Sequence, residues 1–274
     1  MIPVAFDYER ATSAEQALNL LAEHGDEAKL IAGGHSLLPL MKYRLAAPAV
    51  LIDIGRLEEL SYIRDEGEEL AIGALTRHCE VEQNDLVRSQ VGLLAAATSQ
   101  VGDPQVRHRG TIGGAMAHGD PASDLPAALI ALRGSLVIDG PSGRRQVEAD
   151  SFFTGFLETD LGEDEMLVEV RLPKLPDSTW SFQKFNRRAQ DWAIVGSAVV
   201  VDQGICGVGL VNMDSRPIRA TSVEEAIKNG SSAAEASELA ADGCEPPADI
   251  NAGMDYRRHL ARVLTRRGLE ESGR

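Results

Sequence analysis

The chain has 274 residues, of which 43% are hydrophobic, and its 27 basic and 42 acidic residues give a formal net charge of -15. This length can bury a sizeable core and is sufficient for two domains or three small ones. The acidic balance, without any block of Lys or Arg, argues against nucleic acid as a partner.

The sequence has no targeting, membrane or metal-binding pattern. The first residues, MIPVAFDYERATS, lack the basic and apolar regions of a signal peptide, and no apolar run reaches the roughly 20 residues of a membrane helix. We therefore expect a cytoplasmic protein without an integral membrane segment. The three cysteines, Cys79, Cys206 and Cys244, are far apart and the six histidines lack ligand spacing, so we expect no metal site on this chain.

The first 55 residues or so have the pattern of a small α/β unit. Ser13 and Gln16 stand in capping-box relation at the start of a helix that ends near Gly25. The buried strand AKLI then runs into the turn GGHS. A brief helix in LLPLMKYRL and a second buried strand in PAVLIDI complete the unit.

The middle of the chain mixes strands and helices. From Leu60 we predict two strands around an acidic turn and then two helices, the second over roughly residues 86–101. The glycine-rich segment GDPQVRHRGTIGGAMAHGDPASDLP follows. After it, the sequence predicts the helix DLPAALIAL, the strand pair SLVIDGPSGRRQVEA and the strand MLVEVRL.

The last third begins after a proline-rich linker, LPKLPDS, at residues 172–178. Beyond it, the stretches WSFQKFN, AIVGSAVVVD and ICGVGLVNM predict a small antiparallel meander. Two helices then follow, near residues 221–228 and 255–267.

Two pairs of consecutive glycines, about 80 residues apart, are candidate anion-binding segments. Gly33-Gly34 follows a predicted strand, and Gly113-Gly114 has the same appearance of a strand that enters a loop. Glycine admits positive φ and lets backbone amides approach a ligand without an intervening Cβ, and a helix that begins at Ser36 or Leu37 adds its own amides. Either pair alone is also typical of an ordinary tight turn. Together they predict a clamp for the two phosphates of one pyrophosphate.

Several common site types are excluded by their missing signatures. The chain has no GxxxxGK[ST] motif and no GxGxxG that opens a helix after a strand, which excludes the P-loop and the dinucleotide fingerprint. HExxH is absent, and GGHS lacks the GxSxG pattern of a hydrolase nucleophile.

Three stretches, AGGHSLLPLMKYRLAAPAVLIDI, GDPQVRHRGTIGG with DPASDLPAAL, and FQKFNRRAQDWA, resemble one family in order and spacing. It is the FAD-binding medium subunit of molybdenum hydroxylases, the carbon monoxide dehydrogenase and xanthine dehydrogenase family. The resemblance covers nearly the whole chain. It implies an α+β fold of the vanillyl-alcohol oxidase or PCMH type, with two α/β subdomains at residues 1–57 and 58–176. A C-terminal domain, residues 177–274, adds a small antiparallel sheet and helices.

The resemblance also implies cofactor contacts, since residues of this chain match the family's motifs one by one. The first glycine segment and the Ser36 hydroxyl lie under the FAD pyrophosphate, the second segment begins at Thr111, and Trp192 stands beside the isoalloxazine. The implied FAD contacts are Ala32, Gly33, Gly34, His35, Ser36, Leu37, Val101, Thr111, Ile112, Gly113, Gly114, Ala115, Asp124, Leu167, Lys184 and Trp192.

Some of these positions have a structural alternative. Asp124 is also a good helix N-cap, Lys184 can be a solvated strand residue, and Trp192 can belong to the core. Ala115 departs from the family, which often has Asn or Ser after IGG. This change removes a side-chain hydrogen bond and leaves the backbone donors of the segment.

The function that the resemblance implies is electron transfer by an FAD-carrying subunit, without a catalytic residue on this chain. It implies a large molybdopterin subunit and a small [2Fe–2S] subunit as partners, in a dimer of heterotrimers, with NAD, quinone or oxygen as the external acceptor. Two alternatives stay open: a stand-alone flavin oxidoreductase of the vanillyl-alcohol oxidase type, and a nucleotide-binding subunit without redox use.

Overall fold

The structure is a computed structural model that describes residues 2–274, and it is built on three larger sheets that follow one another along the chain. The N-terminal part consists of β1 (Asp7–Arg10), α1 (Ala14–His24), β2 (Ala28–Ile31), α2 (Leu37–Lys42) and β3 (Val50–Asp53). Its three strands are parallel in the order β1-β3-β2. The Ser13 hydroxyl accepts from the Gln16 amide at 3.1 Å, but the Gln16 side chain accepts from the Thr12 amide at 2.7 Å and not from that of Ser13, so only half of the predicted capping box forms.

The middle part surrounds a five-stranded antiparallel sheet in the order β4-β5-β10-β6-β7. Its buried face and the helices on it form the largest apolar cluster of the molecule. The elements are β4 (Ile63–Glu66), β5 (Glu69–Gly73), α3 (His78–Gln83), α4 (Asp85–Gln90), α5 (Gly92–Ser99), α6 (Pro104–Arg107), α7 (Ile112–His118), α8 (Asp124–Ala131), β6 (Ser135–Gly140), β7 (Gly143–Glu148), α9 (Ala149–Phe152), β8 (Phe153–Gly155), β9 (Glu158–Thr159) and β10 (Met166–Pro173).

The C-terminal part is a four-stranded antiparallel sheet in the order β11-β12-β13-β14 with helices packed on it. The predicted meander is confirmed, and so are both predicted helices, although the last one is longer. The elements are β11 (Thr179–Phe185), β12 (Val195–Asp202), β13 (Ile205–Val211), β14 (Ile218–Arg219), α10 (Thr221–Lys228), α11 (Ala233–Ser237) and α12 (Met254–Glu271).

Helix α8 connects the middle and C-terminal parts. Every residue of α8 is buried, and it packs against both α5 and β13. Two glycines of β13 permit this contact, because a Cβ on Gly207 or Gly209 would collide with the backbone carbonyl of Ala131 or Ala127. The C-terminal sheet therefore lies directly on the backbone of α8.

The predicted helix over residues 86–101 is wrong as a single element. The chain bends at Val91, between α4 and α5, because the carbonyl of Gln90 accepts the amide of Leu175 at 2.8 Å instead of a helical donor. The Leu94 amide donates to Val91 at 2.8 Å, a tighter turn than the α-helical one. Gly92 then packs against the Trp180 indole, where a Cβ would lie 2.7 Å from Cε2.

The segment before the second glycine pair and the strand β1 also differ from the prediction. The second glycine pair lies in the first turn of α7 and follows α6, so the strand predicted before it is absent from residues 104–111 except for one isolated bridge between Arg77 and Thr111. The strand β1 was not predicted. None of the helices within residues 2–274 combines the length and the apolar character that crossing a membrane requires.

Candidate functional site

A cavity of about 850 Å³ lies between the first glycine segment, the N-terminal end of α7 and the C-terminal part of the chain. Its volume is near the upper end of the range of about 300–1,000 Å³ that is usual for ligand pockets. All the predicted site residues line this cavity except Ile112. The structure places Ile112 in the core, fully buried, with its amide bonded to the Thr76 carbonyl at 3.0 Å.

The first glycine segment, residues 32–36, is the turn between β2 and α2. Gly34 has φ of 75°, a conformation that glycine adopts without strain. The amides of Gly33, Gly34 and His35 donate no hydrogen bond within residues 2–274, and the Ser36 side chain makes no capping bond to α2. This turn therefore offers free donors to an anion in the cavity.

The second segment presents fewer free donors than the sequence predicts. The amide of Gly113 donates to the Ala74 carbonyl at 2.8 Å, and the amide of Gly114 donates to Thr111 Oγ1 at 3.2 Å. Ala115 donates to the Thr111 carbonyl at 3.1 Å. Most backbone donors of this segment are therefore used to hold α7 in place, and what remains for a ligand is the Thr111 hydroxyl and the open surface beside Gly114.

The glycines of the two segments have different roles. A Cβ on Gly33 would collide with the Arg109 carbonyl, so this glycine lets the two segments approach each other. A Cβ on Gly113 would lie 2.5 Å from the Cβ of Ala74 and would separate α7 from β5. Gly114 differs, because its only close neighbour would be Thr111 Oγ1 at 2.7 Å, and the remaining space belongs to the cavity.

Asp124 and Lys184 form a buried ion pair at the cavity wall. Lys184 Nζ donates to Asp124 Oδ2 at 2.7 Å and to the Gln100 carbonyl at 2.9 Å, and the two side chains are 4% and 5% exposed. Asp124 Oδ1 is shielded and has no hydrogen-bond partner within the described residues. Burial raises the pKa of Asp124 to about 6, although Lys184 opposes this shift.

This ion pair corrects two of the structural alternatives. Asp124 is the first residue of α8 and not its N-cap, because Ser123 occupies the cap position. Lys184 is not solvated. Its strand, β11, belongs to the C-terminal part, whereas α8 belongs to the middle part, so the pair links the two across the cavity wall.

Trp192 lies at the cavity and not in the core. It is 58% exposed and lines the cavity beside Asp191 and Gln190, in the loop between β11 and β12. The core alternative for this residue is therefore wrong. Leu167 in β10 and Val101 after α5 are additional apolar residues of the wall.

The structure adds wall residues that the sequence did not indicate. His78 and His118 both line the cavity, and burial lowers the pKa of each; for His78 the value falls to about 4. The stretch that includes Leu157 and Leu161 forms the side of the cavity next to β8 and β9. No motif marks these residues, because a lone histidine or leucine carries no spacing signal.

Two family models match the chain. The FAD binding domain in molybdopterin dehydrogenase matches residues 4–175, and the CO dehydrogenase flavoprotein C-terminal domain matches residues 180–272. The chain is 41% identical to the carbon monoxide dehydrogenase medium chain of Hydrogenophaga pseudoflava, over 98% of this chain and 97% of the relative. It is 36% identical to the glyceraldehyde dehydrogenase medium chain of Sulfolobus acidocaldarius, over 99% of both chains.

A solved structure of a relative also matches this chain over nearly its whole length. Carbon monoxide dehydrogenase from Hydrogenophaga pseudoflava, in a form that lacks the Mo-pyranopterin moiety of its cofactor, aligns with a TM-score of 0.96 at 41% identity. The alignment covers 99% of this chain and 98% of that chain. The predicted fold, an FAD-binding part followed by a C-terminal part with a small antiparallel sheet and helices, is confirmed. The chain belongs to the FAD-binding medium-chain family of the molybdopterin dehydrogenases.

Proposed function

We propose that this chain holds FAD in the cavity between its two glycine segments and passes electrons from [2Fe–2S] clusters on a partner subunit to an external acceptor. The observation that supports this proposal most directly is the cavity itself, which is lined by residues of the first glycine segment, of α7 and of the C-terminal sheet. Family membership makes FAD the expected occupant.

The residues of the cavity fit this cofactor. The free amides of the first glycine segment suit a diphosphate, and the missing Cβ at Gly114 leaves room beside the Thr111 hydroxyl. The exposed Trp192 ring, which also lines the cavity, provides an apolar surface for a planar group.

FAD, when bound, supplies redox chemistry that exchanges single electrons with a cluster and electron pairs with an acceptor. The contribution of this chain is binding and orientation. The glycine segments fix the phosphates, the Asp124–Lys184 pair fixes α8 against β11, and the half-exposed position of Trp192 keeps one end of the cavity accessible.

We further propose that the chain works with a large molybdopterin subunit and a small [2Fe–2S] subunit, in a dimer of heterotrimers, with NAD, quinone or oxygen as acceptor. Relatives named as medium chains or subunits support such an assembly. We also propose three units, residues 1–57, 58–176 and 177–274, because each contains one of the larger sheets.

The isolated, FAD-loaded chain is expected to be inert towards the substrates of its relatives. Carbon monoxide and glyceraldehyde, added without oxygen, should leave the flavin absorption unchanged, whereas dithionite should bleach it. Addition of the two partner subunits should then permit bleaching by the substrate of the complex. Bleaching by substrate with this chain alone would support the stand-alone oxidoreductase, and a chain that copurifies with its partners but without flavin would support the non-redox subunit.

Replacing Trp192 with alanine is expected to change the flavin emission and to leave the fold intact. A side chain that is 58% exposed contributes little to stability, so the free energy of unfolding should change by less than about 1 kcal/mol. The emission should increase because a stacked indole quenches the flavin. Trp180→Ala, at a tryptophan outside the cavity that packs on Gly92, is the control and should not change the emission. Equal emission from Trp192→Ala and the unmodified chain would remove the stacking role.

A further inference from the structure

A buried histidine lies at the cavity wall between the two glycine segments. His78 is the first residue of α3 and is 5% exposed. Its Nδ1 is shielded from solvent and has no hydrogen-bond partner within residues 2–274. Nδ1 is closed off from the cavity as well as from solvent, whereas Nε2 makes no hydrogen bond within residues 2–274 and is not among the shielded atoms. Nε2 is therefore the ring nitrogen that a ligand in the cavity can reach.

The backbone around His78 joins the two segments. The His78 amide donates to the Gly110 carbonyl at 3.0 Å, and Gly110 leaves room for the ring, since an added Cβ would lie 2.5 Å from Cδ2 and 2.7 Å from Nε2. Gly33 packs on the neighbouring Arg109 carbonyl. The imidazole therefore lies next to the point where the first glycine segment meets the start of α7.

The surroundings of the ring are cationic. Burial is the main cause that lowers the pKa of His78 to about 4, and His35, Arg107 and Arg77 lower it further. Glu82 of α3 pairs with Arg107 at 2.8 Å, and Glu80 of α3 lies beside Arg77, but neither carboxylate perturbs the pKa of His78. An anion in the cavity would supply a countercharge to the ring itself.

The groups that face His78 come from several elements. His35 belongs to the first glycine segment, Arg77 directly precedes α3, and Arg107 belongs to α6. Helix α5 has no titratable side chain. Helix α4 carries Asp85 and Arg88, and neither perturbs the pKa of the ring.

We propose that His78 is a further ligand of the FAD diphosphate, to which its Nε2–H donates a hydrogen bond. The proposal rests on the proposed function, which places the diphosphate between the two glycine segments. It also accounts for the second segment, where the amides of Ile112, Gly113 and Gly114 are bonded within the protein. The donor that these amides do not provide comes from the adjacent imidazole.

Proton uptake follows from this contact. The ring is neutral at neutral pH in the chain without FAD, because its pKa is about 4. A bound diphosphate favours the charged ring and raises its pKa towards or above the ordinary value of about 6.5. FAD binding therefore takes up a proton below the new pKa, and the affinity for FAD increases as the pH falls through it.

The test is a histidine NMR titration of the full chain with and without FAD, combined with affinities for three ligands. The pKa of His78, identified from the signal that His78→Gln removes, should rise when FAD binds. His78→Met should weaken FAD and ADP about 10- to 100-fold, the usual effect of losing a hydrogen bond to a charged group. Riboflavin, which lacks the diphosphate, should bind as tightly as before.

Matched variants identify the responsible group. His78→Gln retains an N–H donor without titrating in this pH range, so it should recover much of the FAD affinity but not the pH dependence. His118→Gln, at another histidine of the cavity, should retain the pH-dependent part. His108→Gln, at an exposed histidine outside the cavity, should behave as the unmodified chain.

The outcomes separate the two proposals. A His78 pKa that stays near 4 in the FAD complex would overturn the His78 proposal, and so would His78→Met with unchanged affinity for FAD and ADP. If His78→Met does not fold, the titration of the unmodified chain still decides. A chain that binds none of the three ligands would instead overturn the proposed FAD site.

Discussion

Gly114→Val is expected to abolish FAD retention while the protein remains folded. The only atom close to the added Cβ is Thr111 Oγ1, which caps α7, and the rest of the valine side chain enters the cavity. The valine side chain therefore fills the space beside the phosphates and also disturbs the Thr111 hydroxyl. Flavin absorption per chain after gel filtration should fall to background, whereas the melting temperature should fall by only a few degrees, because a lost helix cap costs about 1 kcal/mol.

Gly33→Val should also abolish retention, but for a different reason. Its Cβ would collide with the Arg109 carbonyl, so the two glycine segments must move apart and the melting temperature should fall as well. Gly253→Val, at a glycine with open space around the added Cβ, is the control and should retain FAD. Stoichiometric FAD in both Gly33→Val and Gly114→Val would contradict the binding site between the two segments.

Lys184→Met is expected to lower the free energy of unfolding by about 3–5 kcal/mol at neutral pH, since it leaves a buried carboxylate without its partner. The 4% exposure of the Lys184 side chain and its 2.7 Å bond to Asp124 are the reasons for this large effect. Urea unfolding monitored by circular dichroism measures it. Lys174→Met, which breaks the more exposed pair with Asp65, should cost far less, because solvent screens an exposed ion pair.

The stability of Lys184→Met should decrease as the pH rises. Without Lys184, the pKa of Asp124 rises further above its ordinary value of 3.8, because burial then acts unopposed. The native chain then binds a proton that the unfolded chain releases, so stability is lost as the pH rises through the native pKa and regained below it. The loss of unfolding free energy in Lys184→Met should therefore become smaller as the pH falls towards about 4. The double variant Asp124→Asn with Lys184→Met should recover most of it at neutral pH, and a double variant as unstable as the single one would contradict the ion-pair explanation.

Elements with a local cause could be predicted from the sequence. The start of α1 is determined by the Ser13 cap, and the meander and α10 follow from alternating and helical apolar patterns. Helix α11 was not predicted, although the Ser232 and Glu235 capping box at its start is a local signal that could have indicated it.

Elements with a tertiary cause could not be predicted. The bend at Val91 depends on Leu175, which is far away in sequence. Helix α7 contains two glycines, which disfavour helix formation, and it forms because Thr111 caps it and because Gly113 packs on Ala74. Strand β1 has no buried residue, so its pairing with β3 left no hydrophobic pattern to detect.

The same distinction applies to the site. The family resemblance identified residues that line the cavity, including Lys184 and Trp192 from the last third of the chain. It did not show that Ile112 lies in the core or that Lys184 neutralises Asp124, because both depend on how the parts pack. His78 gave no signal, since a histidine becomes informative only when its burial and its missing partner are known.

The close contact between β13 and α8 limits which C-terminal segments can be combined with this FAD-binding segment in evolution. Two family models describe the chain as separate segments, which suggests modules that evolution can exchange. Yet the carbonyls of Ala127 and Ala131 occupy the space that a side chain at Gly209 or Gly207 would need. A C-terminal segment from another lineage can join this FAD-binding segment in the same way only if it brings glycine at both positions, because even an alanine Cβ would collide with these carbonyls.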